Sequence, residues 1–215
     1  MTRLVLASAS PARRSVLRAA GIEPIVRISD VDEDAVAAAL PADTGPRQIV
    51  VELARAKAHA VATSLAAEHP GPGDDLVVVG CDSMLLIDGT LQGKPHTPEV
   101  AEARWQAMAG HYADLVTGHC VLRLQAGAVT AEAVDCSATT VHFGKPDPVE
   151  LDAYIATGEP LQVAGAFTLD GLGGWFVDRI EGDPSSVVGI GLPLLRRLLQ
   201  EVGVGIAELW AAGRP

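Results

Sequence analysis

Residues 76–85 read LVVVGCDSML: four apolar residues in a row, three of them β-branched, and then an aspartate two places after a glycine. A short apolar run of this kind suits a strand buried on both faces, the form that strands take in a parallel sheet covered by helices. Such a strand is expected to stop near Gly80. Asp82 and Ser83 would then stand beyond its carboxyl end, where open α/β sheets bind ligands. A carboxylate there can hold a divalent cation or take a proton from water, and an aspartate that merely caps a turn fits the same letters. Cys81, the last residue of the buried run, reads more readily as a small core side chain than as a nucleophile.

Outward from this strand, short β-branched runs alternate with helical patterns that open at Ser, Thr or Asp followed by Pro and close at Gly. The alternation predicts a mixed α/β fold. A first strand is expected at 4–7, followed by a helix capped by Ser10 with Pro11 in its first position and closing before Gly21. A second strand is expected at 24–28, then an acidic loop, SDVDED (29–34), and a long helix from about 46 to 65. EHPGPGDD (68–75) reads as a surface loop. Downstream, SMLLIDGTLQGKP predicts a hairpin turning at Asp88 and Gly89, and Thr97–Pro98 opens a helix that stops at Gly110. Two long strands at 114–124 and 128–143 follow, then a helix at 147–157, a strand in WFVDRIEG and a closing helix in LPLLRRLLQEVG.

The chain has 215 residues, enough for one large domain or two small lobes sharing a sheet. Its composition is 48% hydrophobic and 20% charged, with no apolar run near the roughly 18 residues of a membrane span. MTRLVLASAS leads into a helix start and not into a cleavage region, so it reads as a first strand of a cytoplasmic protein. Three cysteines without metal-ligand spacing fit reduced thiols in that compartment. A net charge of -11, with 13 arginines and 3 lysines dispersed, disfavours a nucleic-acid partner. A small polyanion stays possible, because a few cations converging in one cleft suffice to hold it.

Several stretches bear on that polyanion. SASPARRS (8–15) sets two hydroxyls, free backbone N–H groups and Arg13 at a helix start, which suits an anion as well as an ordinary helix cap. Lys57 falls within the apolar stripe of Val50, Leu53, Ala54, Val61 and Leu65, so it must snorkel or meet an anion. Arg55 and His59 lie off the stripe, facing solvent. Lys94, in Gln-Gly-Lys-Pro, can present an ammonium to a phosphate, although Pro95 excludes a Walker A loop. GxGxxG, HExxH and GxSxG are all absent. Asp30, Asp32, Glu33 and Asp34 form either a solvated loop or, with Asp82, an oxygen-rich site for Mg²⁺.

Taken in order, LVLASASPARR, SDVDED, LARAKA, GCDSML, LQGKP, MAGHYADLVTG, VAGAFTLDG and GDPSSVVGIGLPL resemble the Maf family of nucleoside triphosphate pyrophosphatases, in the wording of its actinobacterial branch and over essentially the whole chain. The resemblance implies a single Maf-like domain over 1–215, a mixed twisted sheet flanked by helices and two lobes with a cleft between them. It also implies a homodimer, a divalent cation (Mg²⁺ or Mn²⁺), and hydrolysis of a nucleoside triphosphate to monophosphate and pyrophosphate. By residue, it makes Asp82 the proton acceptor, places Ser8, Ser10, Arg13, Lys57 and Lys94 on the substrate, and assigns Asp82 and Glu33 to the metal. Members acting on dTTP and UTP carry Arg, Thr and Gln where this chain has Ala12, Ser83 and Asp170, and members preferring 7-methyl-GTP carry Trp at the first place. The base is therefore left open, including a housecleaning role on non-standard nucleotides. A nucleotide-binding regulator of septation with little turnover is the alternative that the family also suggests.

Overall fold

The computed structural model describes residues 1–68, 71 and 75–212. Along them run β1 (Arg3–Leu6), α1 (Pro11–Ala19), β2 (Ile25–Val26), α2 (Glu33–Ala39), α3 (Pro46–Glu68), β3 (Asp75–Ile87), β4 (Thr90–Gln92), α4 (Pro98–Met108), β5 (Tyr112–Gln125), β6 (Ala128–Phe143), α5 (Pro148–Ala156), β7 (Val177–Glu181), α6 (Pro184–Val188), α7 (Leu192–Glu201) and α8 (Ile206–Ala212). The helix starts lie where local chemistry puts them. Ser10 and Thr97 accept from the amides of Arg13 and Val100, and Asp147 and Glu150 form a reciprocal capping box. The β3–β4 turn is carried by Asp88 and Gly89 with φ of 47° and 77°, the left-handed pair that a two-residue hairpin demands.

The seven strands form one mixed sheet in the order β2-β1-β3-β5-β6-β7, with β4 beside β3 on the same edge as β1 but further along it. β1 runs parallel to β3 from Arg3↔Leu76 to Leu6↔Val79, and β4 pairs antiparallel with Leu85 to Ile87. Residues 80–84 of β3 therefore have no strand beside them on that edge, while β5 pairs the other edge throughout. This gap corrects the expectation of a strand stopping at Gly80. β3 continues for 13 residues with Asp82 in its middle, and it is the parallel neighbour that ends.

Gly80 continues the strand because it gives α3 room to approach. A β-carbon there would stand 2.2 Å from the Ala54 carbonyl oxygen, and one at Gly118 would stand 2.2 Å from that of Val50. On this face Val78, Cys120, Ala58 and Val61 share one buried cluster. The opposite face carries two. Leu17, Val79, Cys81, Leu195 and Leu198 belong to the first, and Leu85, Trp105, Leu115, Phe143 and Tyr154 to the second. Between them runs a row of hydroxyls, Ser83, Thr117 and Ser137, that are cross-strand neighbours on β3, β5 and β6.

Other departures have local causes. SDVDED is not wholly a loop, because Asp32 accepts from the Ala35 amide and opens α2 at Glu33. The second strand is shorter than expected, only Ile25–Val26 pairing with β1. In WFVDRIEG the strand begins at Val177, since Trp175 and Phe176 close a 3-10 turn. The helix at Leu192–Glu201 is followed by α8, whose Trp210 indole donates to the Ala20 carbonyl. Of the surface loop expected at 68–75, residues 69, 70 and 72–74 lie outside the described residues. No helix among the described residues is long and apolar enough to cross a membrane.

The contact of α3 with the sheet predicts that Gly80→Ala destabilises the fold by about 2–3 kcal/mol, because backbone and not a flexible side chain meets the new carbon. Urea unfolding measures this. An unchanged midpoint would mean that helix and strand do not touch there.

Candidate active site

Alternation along β3 sends Asp82 to the α3 face and Ser83 to the other. Toward α3, Asp82 is 5% exposed and meets Lys57, itself 8% exposed. The Lys57 ammonium donates to Asp82 Oδ1 at 2.6 Å and pairs with Glu33 Oε1 at 2.8 Å. The lysine in the apolar stripe thus meets carboxylates instead of snorkelling. Asp82 Oδ2 is buried and has no hydrogen-bond partner among the described residues. A buried, unpartnered carboxylate oxygen beside a satisfied one is costly, and it is an acceptor held ready for a proton, a cation or a water.

Toward α1, the Arg13 guanidinium is held at all three nitrogens. Nε donates to the Gly189 carbonyl at 2.7 Å, Nη1 to Ser8 Oγ at 3.1 Å and Nη2 to Ser83 Oγ at 3.1 Å. Ser10 caps α1 and donates its amide to Ser8 Oγ at 3.2 Å. The loop from β1 to α1 therefore lies against β3 beside the gap. A depression of about 580 Å³ flanks this loop, lined by Ser8, Ser10, Pro11 and Arg14 but not by Asp82 or Lys57. Its lining marks one flank of the loop, whereas the Asp82 carboxylate sits on the α3 face of β3.

Two groups of expected residues are thereby assembled, Asp82–Lys57–Glu33 and Ser8–Ser10–Arg13–Ser83. Ala12 is half-buried on α1, next to Arg13. Lys94 is exposed after β4, and no side chain among the described residues pairs with it. Its loop is held from behind, because the Gly93 carbonyl accepts from Arg104 and from the Gly165 amide. Asp170 is exposed beside a segment that the Glu159 carboxylate organises by accepting from Thr168 and the Gly173 amide. Neither joins the two groups by a direct bond. Arg55 and His59 lie on the solvent side and share Glu132.

Sequence reading missed the Gly189 carbonyl and Thr117, whose hydroxyl meets Ser83 at 3.0 Å and donates to the Ser186 carbonyl at 3.1 Å. The two-glycine spacing of GIG after SSVV was the available signal for a special turn, and nothing local marked Thr117. Burial in apolar surroundings pushes the Cys81 thiol up to about 11, as expected of a core side chain.

No group of three or more His, Cys, Asp or Glu side chains gathers among the described residues. A divalent cation would have at most a carboxylate pair from this site. That suits Mg²⁺, which keeps its waters and takes phosphate oxygens for the rest of its shell. Asp82, whose Oδ2 has no partner among the described residues, and the half-exposed Glu33 outnumber the one ammonium between them, and that surplus of negative charge fits such an ion.

Comparison with known proteins concerns nearly the whole chain. The profile described as Maf-like protein matches residues 3–202. Curated proteins named nucleoside triphosphate pyrophosphatase are similar along nearly their full lengths. The one from Nocardia farcinica is 79% identical over 207 residues, 96% of each chain. That from Rhodococcus jostii is 70% identical over 212 residues, covering 99% of this chain and 98% of its own. That from Mycolicibacterium vanbaalenii is 55% identical over 210 residues, covering 98% and 99%.

The buried pair predicts that Lys57→Met lowers stability by roughly 3 kcal/mol by stranding the Asp82 charge, and that adding Asp82→Asn returns most of the loss. A single variant within about 0.5 kcal/mol of wild type, as for an exposed pair, would contradict the burial. Cys81, with its thiol held protonated, is expected to resist iodoacetamide at pH 8 until the chain unfolds. Rapid labelling of the folded chain at that residue would overturn this assignment.

Proposed function

The chain belongs to the Maf family, and on that footing we propose that it hydrolyses nucleoside triphosphates to nucleoside monophosphate and pyrophosphate. The observation that carries the reading is the Asp82 carboxylate, one oxygen clamped by Lys57 and the other buried without a partner among the described residues. A carboxylate of that kind is positioned to accept a proton from an attacking water, and the clamp fixes its orientation.

In this reading water attacks the α-phosphorus while the bond from that phosphorus to the oxygen bridging to the β-phosphate breaks. Asp82 Oδ2 takes the proton of the water, and the bridging oxygen leaves with the pyrophosphate. Arg13 and Lys57 stabilise charge on the triphosphate, and Lys94, exposed and without a side-chain partner among the described residues, can swing onto the departing end. Ser8 and Ser10 hold the loop at the start of α1 by accepting the amides of Ser10 and Arg13, and Ser8 accepts from the Arg13 guanidinium that meets the phosphates. Lys57 turns two of its three ammonium protons to the carboxylates and keeps the third for a phosphate oxygen.

Asp82 and Glu33 would hold a magnesium or manganese ion, which when bound supplies positive charge to the phosphate oxygens. Base choice is assigned to Ala12 and Asp170, with Ser83 acting through the Arg13 guanidinium that it accepts. Ala12 is smaller than the Arg or Trp that the dTTP/UTP and 7-methyl-GTP members carry there, which supports a housecleaning role on non-standard nucleotides.

Pyrophosphate release across a panel of standard and modified nucleoside triphosphates, with Mg²⁺, Mn²⁺ or chelator, tests this reading. Release is expected to need metal and to fall at least about 100-fold in Asp82→Asn, the scale of a lost general base. Near-normal turnover in that variant would remove Asp82 from the proton transfer. Nucleotide binding without release from any member would favour a regulator over an enzyme.

A further inference from the structure

His119 lies on β5 one alternation away from Thr117 and is fully buried. Both ring nitrogens are engaged. Nε2 accepts the Gly191 amide at 2.9 Å, which puts the ring proton on Nδ1, and Nδ1 donates to the Thr117 carbonyl at 3.1 Å. Burial holds the imidazole pKa down at about 4, so the ring keeps this single proton at neutral pH.

The turn that His119 touches is the one that holds Arg13. Residues 189–191 join α6 to α7, and the amides of Gly189, Ile190 and Leu192 are satisfied within the turn by Ser185 and Ser186. Gly191 is the exception, because its amide goes to the sheet. Gly189 has φ of 120° and would carry a β-carbon 3.0 Å from Arg13 Nε, so the turn is shaped to let the guanidinium reach its carbonyl. The Thr117 hydroxyl adds a second tie to the sheet through the Ser186 carbonyl.

We propose that His119 is a positioning residue for Arg13: by accepting the Gly191 amide it pins the 189–191 turn to β5, and the Gly189 carbonyl of that turn aims the guanidinium at the substrate phosphates. The inference rests on the reading of Arg13 as a phosphate ligand. A guanidinium held at Nε and at both terminal nitrogens loses little freedom on binding an anion, and releasing one of its three acceptors gives that freedom back. Glutamine can present a carbonyl oxygen where Nε2 stands, whereas asparagine is too short to reach Gly191.

The full-length, ligand-free chain tests this by NMR of the Arg13 Nε–H and by calorimetry with inorganic pyrophosphate. Wild type and His119→Gln are expected to show a protected Arg13 Nε–H and pyrophosphate affinities within about twofold of each other, whereas His119→Asn loses the protection and binds about tenfold more weakly. In an Arg13→Ala background the His119→Asn loss is expected to vanish, the coupling expected of residues acting as one unit. A protected Nε–H in His119→Asn, or losses that simply add, would overturn the proposal and leave His119 a packing residue. Should His119→Asn fail to fold, loss of both signals in a folded His119→Gln would overturn it equally. The two readings fail separately. A wild type that releases no pyrophosphate sinks the enzyme, while the Nε–H result still decides the role of His119.

Discussion

The backbone of α3 rests on the backbone of the sheet, and the chemistry of the site follows from that contact. Glycines at 80 and 118 remove the two side chains that would hold helix and sheet apart. Lys57 stands one turn beyond Ala54, and Asp82 stands two residues beyond Gly80 on the same face of β3, so the close approach brings ammonium and carboxylate to 2.6 Å. A pair taken out of water at that distance recovers its desolvation only in part, and an apolar pair would hold the fold as well or better. The arrangement is intelligible as a cost accepted for a carboxylate with one oxygen fixed and one ready.

The pleat of β3 then separates two kinds of chemistry by a single residue. Asp82 faces α3, where Lys57 holds one of its carboxylate oxygens, and Ser83 faces α1, where its hydroxyl accepts from Arg13. Both sit where β1 has ended and β4 has not begun, so among the described residues no strand pairs with this edge of β3 beside them. On the Arg13 side the row Ser83–Thr117–Ser137 divides two apolar clusters. Polar groups buried there must be satisfied by one another, and the bonds that satisfy them run through Ser186 and His119 to the turn that holds Arg13.

Much of this was legible because it is local. Ser10, Thr97 and Asp147 satisfy amides three residues ahead, so the caps could be read from letters alone, and Asp88–Gly89 declares its turn by the φ values that it tolerates. Lys57 was legible as a question, since a cation in an apolar stripe demands an anion. Its partners were not, because Glu33 and Asp82 come from segments 24 and 25 residues away in opposite directions along the chain. Asp82 was misplaced at a strand end for a related reason. A glycine after four apolar residues reads as a stop, and only the helix lying on top of it makes it a point of contact. The acidic loop hid α2, since a run of carboxylates looks solvated until one of them is seen to cap a helix.

The sequence by itself determined the mixed α/β class, the helix caps, the hairpin, the family resemblance and the residue types able to meet a polyanion. These depend on φ/ψ preferences, hydrophobic period and side-chain chemistry within a few residues. The tertiary structure alone decided that Asp82 has an unpartnered oxygen, that Arg13 is held at three nitrogens, and that His119 reaches the turn behind it. Each of these is a distance between residues far apart in the chain, and such distances are set by how helix and sheet pack.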